Sequence, residues 1–208
     1  LNATSTLNFE FGAPNISGLP DNDLIIVNGN ITLAGLLNVT DPGTGPGFGL
    51  GVYQLFTYTG GITDNGLTVN SLPGVVQATL IPGQVNLLVA NPGTMIQHWQ
   101  GADTTGNGTD DGGNGTWNAG NSNWSSSPFG LNTNWQSGIA VFAGATGTVT
   151  VSGTQNFEGL EFTTNNYVLN SGTLNSTTAG FIAVGVTDAT INSDITGAAL
   201  AKQLTGNL

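Results

Sequence analysis

Cysteine is absent from these 208 residues, arginine is absent as well, and lysine, histidine and methionine each occur once. Without cysteine there can be no disulfide and no thiolate metal site; the redox compartment stays open, because a cysteine-free chain suits either. With Lys202 as the sole cation no basic patch can be assembled, which excludes nucleic acid as a partner, since phosphate-backbone binding rests on Lys and Arg releasing counterions. Anionic membrane surfaces are excluded for the same reason. No apolar run approaches the roughly 18 residues needed to span a bilayer. The chain opens at Leu1 without an initiator Met, a basic leader or a signal-like stretch, and reads as part of something longer. Helical periodicity is nearly missing too, because Gly interrupts almost every candidate window. The best exception, Gly197 to Leu204, fits two turns of helix or a terminal strand about equally well.

What is present points to strands. Hydrophobic residues make up 38% of the chain, enough for a real core, and 33 Gly are mixed with abundant Thr, Val, Ile and Asn. The formal net charge of -11 comes from 12 Asp and Glu against that one Lys. Such a balance keeps the molecule soluble and is compatible with neutral glycans, basic protein surfaces or cation-bridged contacts. Leu7, Phe9 and Phe11 alternate with Asn8 and Glu10, so one face of that segment is apolar. Leu24–Val27 is a short continuous apolar run, expected for a strand buried on both faces. Further strands are expected at Ile31–Leu33, Leu36–Val39, Val52–Leu55, Leu67–Val69, Val75–Leu80, Val85–Val89, Ile139–Phe142, Thr148–Val151, Phe157–Phe162, Tyr167–Leu169, Phe181–Val184 and Thr190–Ile195. Asn-Gly, Pro-Gly and Ser-Gly dipeptides between them mark turns. Short strands at irregular spacing fit a β-sandwich or barrel or, better, a β-solenoid, whose coils cannot bury their apolar faces alone. At about 20 to 25 residues per coil this length gives roughly eight to ten coils, a rod on the order of 40 Å long. From Thr104 to Trp135 the pattern breaks. That stretch has almost no aliphatic residues and holds three of the four Trp; it is either a projecting loop or an irregular coil held by Trp packing.

The run from Trp135 to Leu174 resembles the autotransporter-associated β-strand repeat. The likeness is carried by Trp135, Gly138 and Val141-Phe142, then by the Thr-Val-Thr-Val-Ser-Gly strand, by Gly159, Leu160 and Phe162, and by Tyr167 and Leu169 before a Gly turn. The last twenty or so residues look like the start of a next repeat, and the upstream segments Asp23–Val39, Gly51–Gly60 and Asn65–Val69 are similar to large autotransporter passengers. This resemblance implies an all-β fold, a right-handed single-stranded parallel β-helix continuous over residues 1–208, with the 104–135 stretch as its irregularity. It also implies a non-enzymatic passenger segment, adhesin or structural stalk, at the bacterial cell surface or secreted. Its partner would be a host or neighbouring-cell surface protein or glycan, the outer-membrane β-barrel translocator would lie elsewhere in the full-length chain, and the segment would be a monomer without cofactor or metal. The absence of cysteine then helps threading of an unfolded chain during export.

Several residues invite chemistry and have plainer readings beside it. Asp103, Asp110 and Asp111 lie in a Gly/Asn-rich stretch and could offer oxygens to Ca²⁺, but their spacing matches neither an EF-hand nor the nonapeptide repeat, and a solvated acidic loop is the better reading. A glycan-hydrolysing or glycan-binding β-helix using loop carboxylates is the alternative function. Glu158 and Glu161, however, would face opposite ways on a regular strand. His98 would have to anchor any Ser-His-Asp arrangement, and no nucleophile elbow accompanies it. Trp99, Trp117, Trp124 and Trp135 could form a sugar-stacking platform, though plugging the core is the plainer reading. The sequons at Asn30-Ile31-Thr32 and Asn38-Val39-Thr40 reflect composition.

Overall fold

The computed structural model describes residues 1–14, 22–41, 43, 48–126, 130–185, 188–204 and 206–208, and among them every regular element is a strand. The chain is built as two compact units, Leu1–Pro92 and Gly93–Leu208.

The first unit holds β1 (Thr6–Glu10), β2 (Ile25–Val27), β3 (Ile31–Thr40), β4 (Gly51–Tyr58), β5 (Ile62–Val69), β6 (Gly74–Gln77) and β7 (Gln84–Val89). From β1 to β6 successive strands alternate between two sheets, and β7 then pairs with β6 in the second. One has the order β1-β3-β5 and is parallel throughout; the other has the order β2-β4-β7-β6. In the second sheet β2 and β4 are parallel, whereas β7 runs antiparallel to both β4 and β6. The alternation read from the sequence sets which side chains enter the core: Phe9, Leu33, Leu37, Tyr53, Phe56 and Leu87 are buried, while Thr6, Asn8 and Glu10 face solvent. Each such fully buried aliphatic or aromatic side chain contributes about 1.5–3 kcal/mol of transfer free energy. The residues 31–40 form one strand rather than two, with the register slipping between Leu33 and Gly35. Gly35, at φ +92°, takes up that slip at no steric cost. Expected burial of Leu24–Val27 on both faces is not found. Ile25 and Ile26 are 39% and 69% exposed, because β2 is an edge strand paired with β4 alone.

Three asparagines stand in one row across the parallel sheet. Asn38 Nδ2 donates to Asn8 Oδ1 at 3.0 Å over a separation of 30 residues, and Asn70 Nδ2 donates to Asn38 Oδ1 at 3.2 Å over 32. Stacked amides of this kind need parallel strands in exact register, since only there do identical side chains sit directly above one another.

The second unit holds β8 (Ile96–Trp99), β9 (Gly115–Trp117), β10 (Trp124–Ser125), β11 (Asn132–Thr133), β12 (Ile139–Phe142), β13 (Thr148–Val151), β14 (Thr154–Phe162), β15 (Tyr167–Asn170), β16 (Thr173–Val184), β17 (Ala189–Ile191), β18 (Asp194–Gly197) and β19 (Leu200–Gln203). An eight-stranded sheet has the order β11-β10-β8-β12-β14-β16-β18, with β19 also on β16, and a four-stranded sheet has the order β17-β15-β13-β9. From β12 to β17 the chain again alternates between the two sheets, and every pairing among these strands is parallel. Partners recur 19 and 21 residues apart in the row Asn156, Asn175, Thr196, where Asn175 Nδ2 donates to Asn156 Oδ1 at 2.9 Å and Thr196 Oγ1 to Asn175 Oδ1 at 3.2 Å. Leu200–Gln203 is a strand, so the helical alternative for the end of the chain is set aside.

The core of this unit is aromatic at one end and aliphatic beyond it. Trp99, Trp117, Trp124 and Trp135 pack with Phe142, and Phe142 stacks on Phe162 at 4.9 Å. Leu160, Leu169, Leu174 and Val184 continue the fill. Two glycines of the repeat-like stretch are required by close approach. A Cβ on Gly138 would run into the Met95 carbonyl, and one on Gly159 would meet the Phe181 ring.

Candidate functional site

The four Trp do not form a binding platform. Trp99, Trp117 and Trp124 are fully buried and Trp135 is 8% exposed. Trp124 stands 5.0 Å from Trp99, 4.9 Å from Trp117 and 4.5 Å from Trp135 between ring centroids, so the rings present their faces and edges to one another. Trp99 Nε1 donates to the Gly113 carbonyl at 2.9 Å and Trp135 Nε1 to the Asn156 carbonyl at 2.7 Å. The stretch that is nearly without aliphatic residues thus buries its Trp side chains instead.

The acidic stretch beside them is stitched to itself. Asp103 accepts from the backbone N–H of Thr105 at 2.9 Å and from its hydroxyl at 2.8 Å, and these bonds hold its carboxyl below the usual carboxylate range. Asn107 accepts in the same way from Thr109 and donates through Nδ2 to Asp111. Asp110 points elsewhere, with Oδ1 3.1 Å from His98 Nδ1. Among the described residues no three His, Asp or Glu side chains converge in a way that could hold a metal ion.

His98 and Asp110 supply two members of the arrangement considered for catalysis, and the third is not poised. Ser125 lies opposite His98 in the β8–β10 register, but it is 1% exposed and its Oγ accepts from Gln100 Nε2 at 2.9 Å. The two glutamates fare no better as a hydrolytic pair. The register slip between Phe157 and Gly159 removes the regular alternation, Glu158 accepts from the Thr94 hydroxyl at 2.8 Å, and Glu161 is fully buried on β14. The sequon asparagines are also engaged: Asn30 Oδ1 accepts from the Gly61 N–H at 2.7 Å, and Asn38 sits within its amide row.

What remains open to a partner is the outer surface of the sheets. On the four-stranded sheet Thr148, Thr150, Asn170 and Thr190 are exposed, with Thr116 aligned to Thr150 and Thr150 to Asn170. None of the strands β9, β13, β15 and β17 carries a charged residue. The result is a row-by-row array of hydroxyls and amides at the inter-strand spacing of about 4.8 Å. Reading the sequence for single catalytic residues misses this feature, because its signal is a recurrence of Asn and Thr from one paired strand to the next. The rows Asn8–Asn38–Asn70 and Asn156–Asn175 carry the same signal.

No family model matches the chain, and no solved structure matches it either. Among curated proteins it is similar to the Adhesin BmaC autotransporter of Brucella suis biovar 1 (strain 1330), with 38% identity over 217 aligned residues and 97% of the chain covered. Over nearly all of its length the chain is thus similar to a segment of an autotransporter. It spans only 6% of the length of that relative.

Proposed function

We propose that this autotransporter segment acts in adhesion, as a non-enzymatic part of the passenger that either contacts a surface protein or glycan of a host or neighbouring cell or spaces such a contact from the membrane. The observation that carries this reading is the similarity of 97% of the chain to a segment of an autotransporter adhesin. The outer sheet surfaces, with their uncharged hydroxyls and amides, are consistent with it. In this reading each unit is a stretch of right-handed parallel β-helix, supported by the alternation between sheets and the parallel pairing of β1 to β5 and of β12 to β17, and by the amide rows; the antiparallel strands β7, β10 and β11 are departures from it. The translocating β-barrel lies elsewhere in the full-length protein, and the segment is a monomer. Rigidity comes from stacked backbone ladders and continuous cores, and contact is made by side chains that the core does not need.

The test is adherence. Beads carrying the chain at defined density are expected to bind cultured host cells or bacterial lawns above beads carrying an unrelated acidic β-protein. Equal binding by both, across a panel of cell types, would overturn the adhesive reading.

A further inference from the structure

Asn-Gly pairs stand at Asn28, Asn65, Asn107 and Asn114. Asparagine is thermally labile, and a following glycine has no Cβ to keep its backbone nitrogen away from the side-chain amide. The structure treats the four pairs differently. Asn107 is held at both ends: its Oδ1 accepts from the Thr109 N–H at 3.0 Å and from the hydroxyl at 2.7 Å, and its Nδ2 donates to both oxygens of Asp111 at 2.9 and 2.8 Å. Asn114 Oδ1 accepts from the Thr148 N–H at 2.7 Å, and a Cβ on Gly115 would run into the Gly101 carbonyl. Asn28 and Asn65 are exposed, and nothing among the described residues holds either carboxamide.

Asn65 differs from Asn28 in what lies on the next N–H. Leu33 pairs with Asp64 and Gly35 with Leu67, so Asn65 and Gly66 together oppose the single residue Ala34, a bulge in β5 with Gly66 at φ +86°. Asp64 Oδ1 accepts from the Gly66 N–H at 2.9 Å, within the reach a general base needs. Asp64, Asn65 and Gly66 are all exposed, and a Cβ on Gly66 would meet nothing within 4 Å, so a ring has room to close. No carboxylate among the described residues bonds to the Gly29 N–H.

We propose that Asn65 is a site of self-catalysed deamidation, with Asp64 as its general base. Asp64 takes the Gly66 amide proton while that nitrogen attacks the Asn65 carboxamide carbon. The bond to Nδ2 breaks, and Nδ2 leaves with the proton as ammonia, giving a cyclic succinimide. Water opens the imide at either carbonyl to aspartate or isoaspartate, so the sum is amide plus water to acid plus ammonia. Each event adds a negative charge beside Asp64. Isoaspartate also lengthens the β5 main chain by one carbon, at the place where the ladder already carries an extra residue.

The intact folded chain is incubated at mildly alkaline pH, and timed samples are digested and read by tandem mass spectrometry, with enzymatic methylation marking isoaspartate. Asn65 is expected to convert fastest, Asn28 more slowly, and Asn107 and Asn114 hardly at all. Asp64→Asn, which keeps an acceptor oxygen but no base, should slow Asn65 by roughly tenfold and leave Asn28 unchanged. In urea the ranking among the four should collapse, because the bulge and the bonds to Asn107 and Asn114 are gone. Conversion of any of the other three as fast as Asn65 in the folded chain overturns the proposal, and so does a ranking that persists unchanged in urea. An Asn65 rate unmoved by Asp64→Asn overturns it as well; Asn28, read in the same digests, controls for any general change in the fold.

Discussion

Gly159 offers a sharp test of the packing, because the ring of Phe181 occupies the space where a side chain would go. A Cβ built on Gly159 lies 2.6 Å from Cε1 and from Cζ of Phe181, and 3.2 Å from Cδ1. The two residues are register partners on β14 and β16, and Phe181 is fully buried, so the ring cannot swing into water. Gly159→Ala must push the ring off its rotamer or spread the strands, an overpacking that costs about 1–3 kcal/mol. All four Trp belong to the same unit as Gly159, so their emission during urea unfolding reports on the right part of the molecule. With a urea slope of about 2 kcal/mol per molar, the midpoint should fall by roughly 0.5–1.5 M. In a Phe181→Leu background, where the ring edge is gone, the same Gly159→Ala change should cost far less. The double-mutant cycle should therefore give a coupling of about 1 kcal/mol or more. A Gly159→Ala cost below about 0.5 kcal/mol, or an equal cost in both backgrounds within about 0.3–0.5 kcal/mol, would refute the reasoning.

Burial pushes the Tyr53 hydroxyl up to about 12 from the ordinary 10.0 and holds Tyr167 higher still. Between the ordinary value and the raised one the folded chain keeps protons that the unfolded chain has lost, so stability should decline as pH rises above about 10; urea midpoints that hold steady from pH 9 to 12 would contradict this. The Tyr167 hydroxyl lies 2.7 and 2.6 Å from the carbonyls of Ala143 and Ala145 and accepts from the Gly113 N–H at 3.1 Å. Tyr167→Phe should cost about 1–3 kcal/mol by the same emission assay, and a change within about 0.5 kcal/mol would show those bonds to be dispensable. Trypsin should cut only after Lys202, even in denaturant, as intact-mass spectrometry would reveal.

Where apolar and polar residues alternate, the buried face of a strand was legible because alternation is a local property. Thr148–Val151 reads polar, apolar, polar, apolar, and the structure buries Val149 and Val151 while leaving Thr148 and Thr150 exposed. Partner and direction were not legible, since nothing within Gln84–Val89 or at Trp124–Ser125 distinguishes an antiparallel neighbour from a parallel one. The Thr104–Trp135 stretch stayed ambiguous between loop and coil because aliphatic content, the usual sign of a core, is replaced there by Trp rings and by bonds from Asn and Gln side chains. The expected strand at Thr190–Ile195 is divided, with β17 ending at Ile191 and β18 beginning at Asp194, because its two halves pair with different sheets. Among the candidate site residues, sequence spacing foresaw neither the 3.1 Å approach of Asp110 to His98 nor the burial of Ser125, which depend on contacts between β8, β10 and the connection leading to β9. The amide rows were written in the sequence as Asn8, Asn38 and Asn70, but a recurrence over some thirty residues with little else in common falls below what local patterning detects.

The adhesive role is tested most directly by competition. Bacteria displaying the full-length autotransporter are allowed to adhere to host cells in the presence of increasing amounts of this soluble chain, with an unfolded preparation of the same chain as control. Dose-dependent loss of adherence with the folded chain alone is the expected result. Undiminished adherence at saturating folded chain, in a strain whose adherence is abolished by deleting this segment from the passenger, would contradict a direct adhesive contact and leave the segment a spacer.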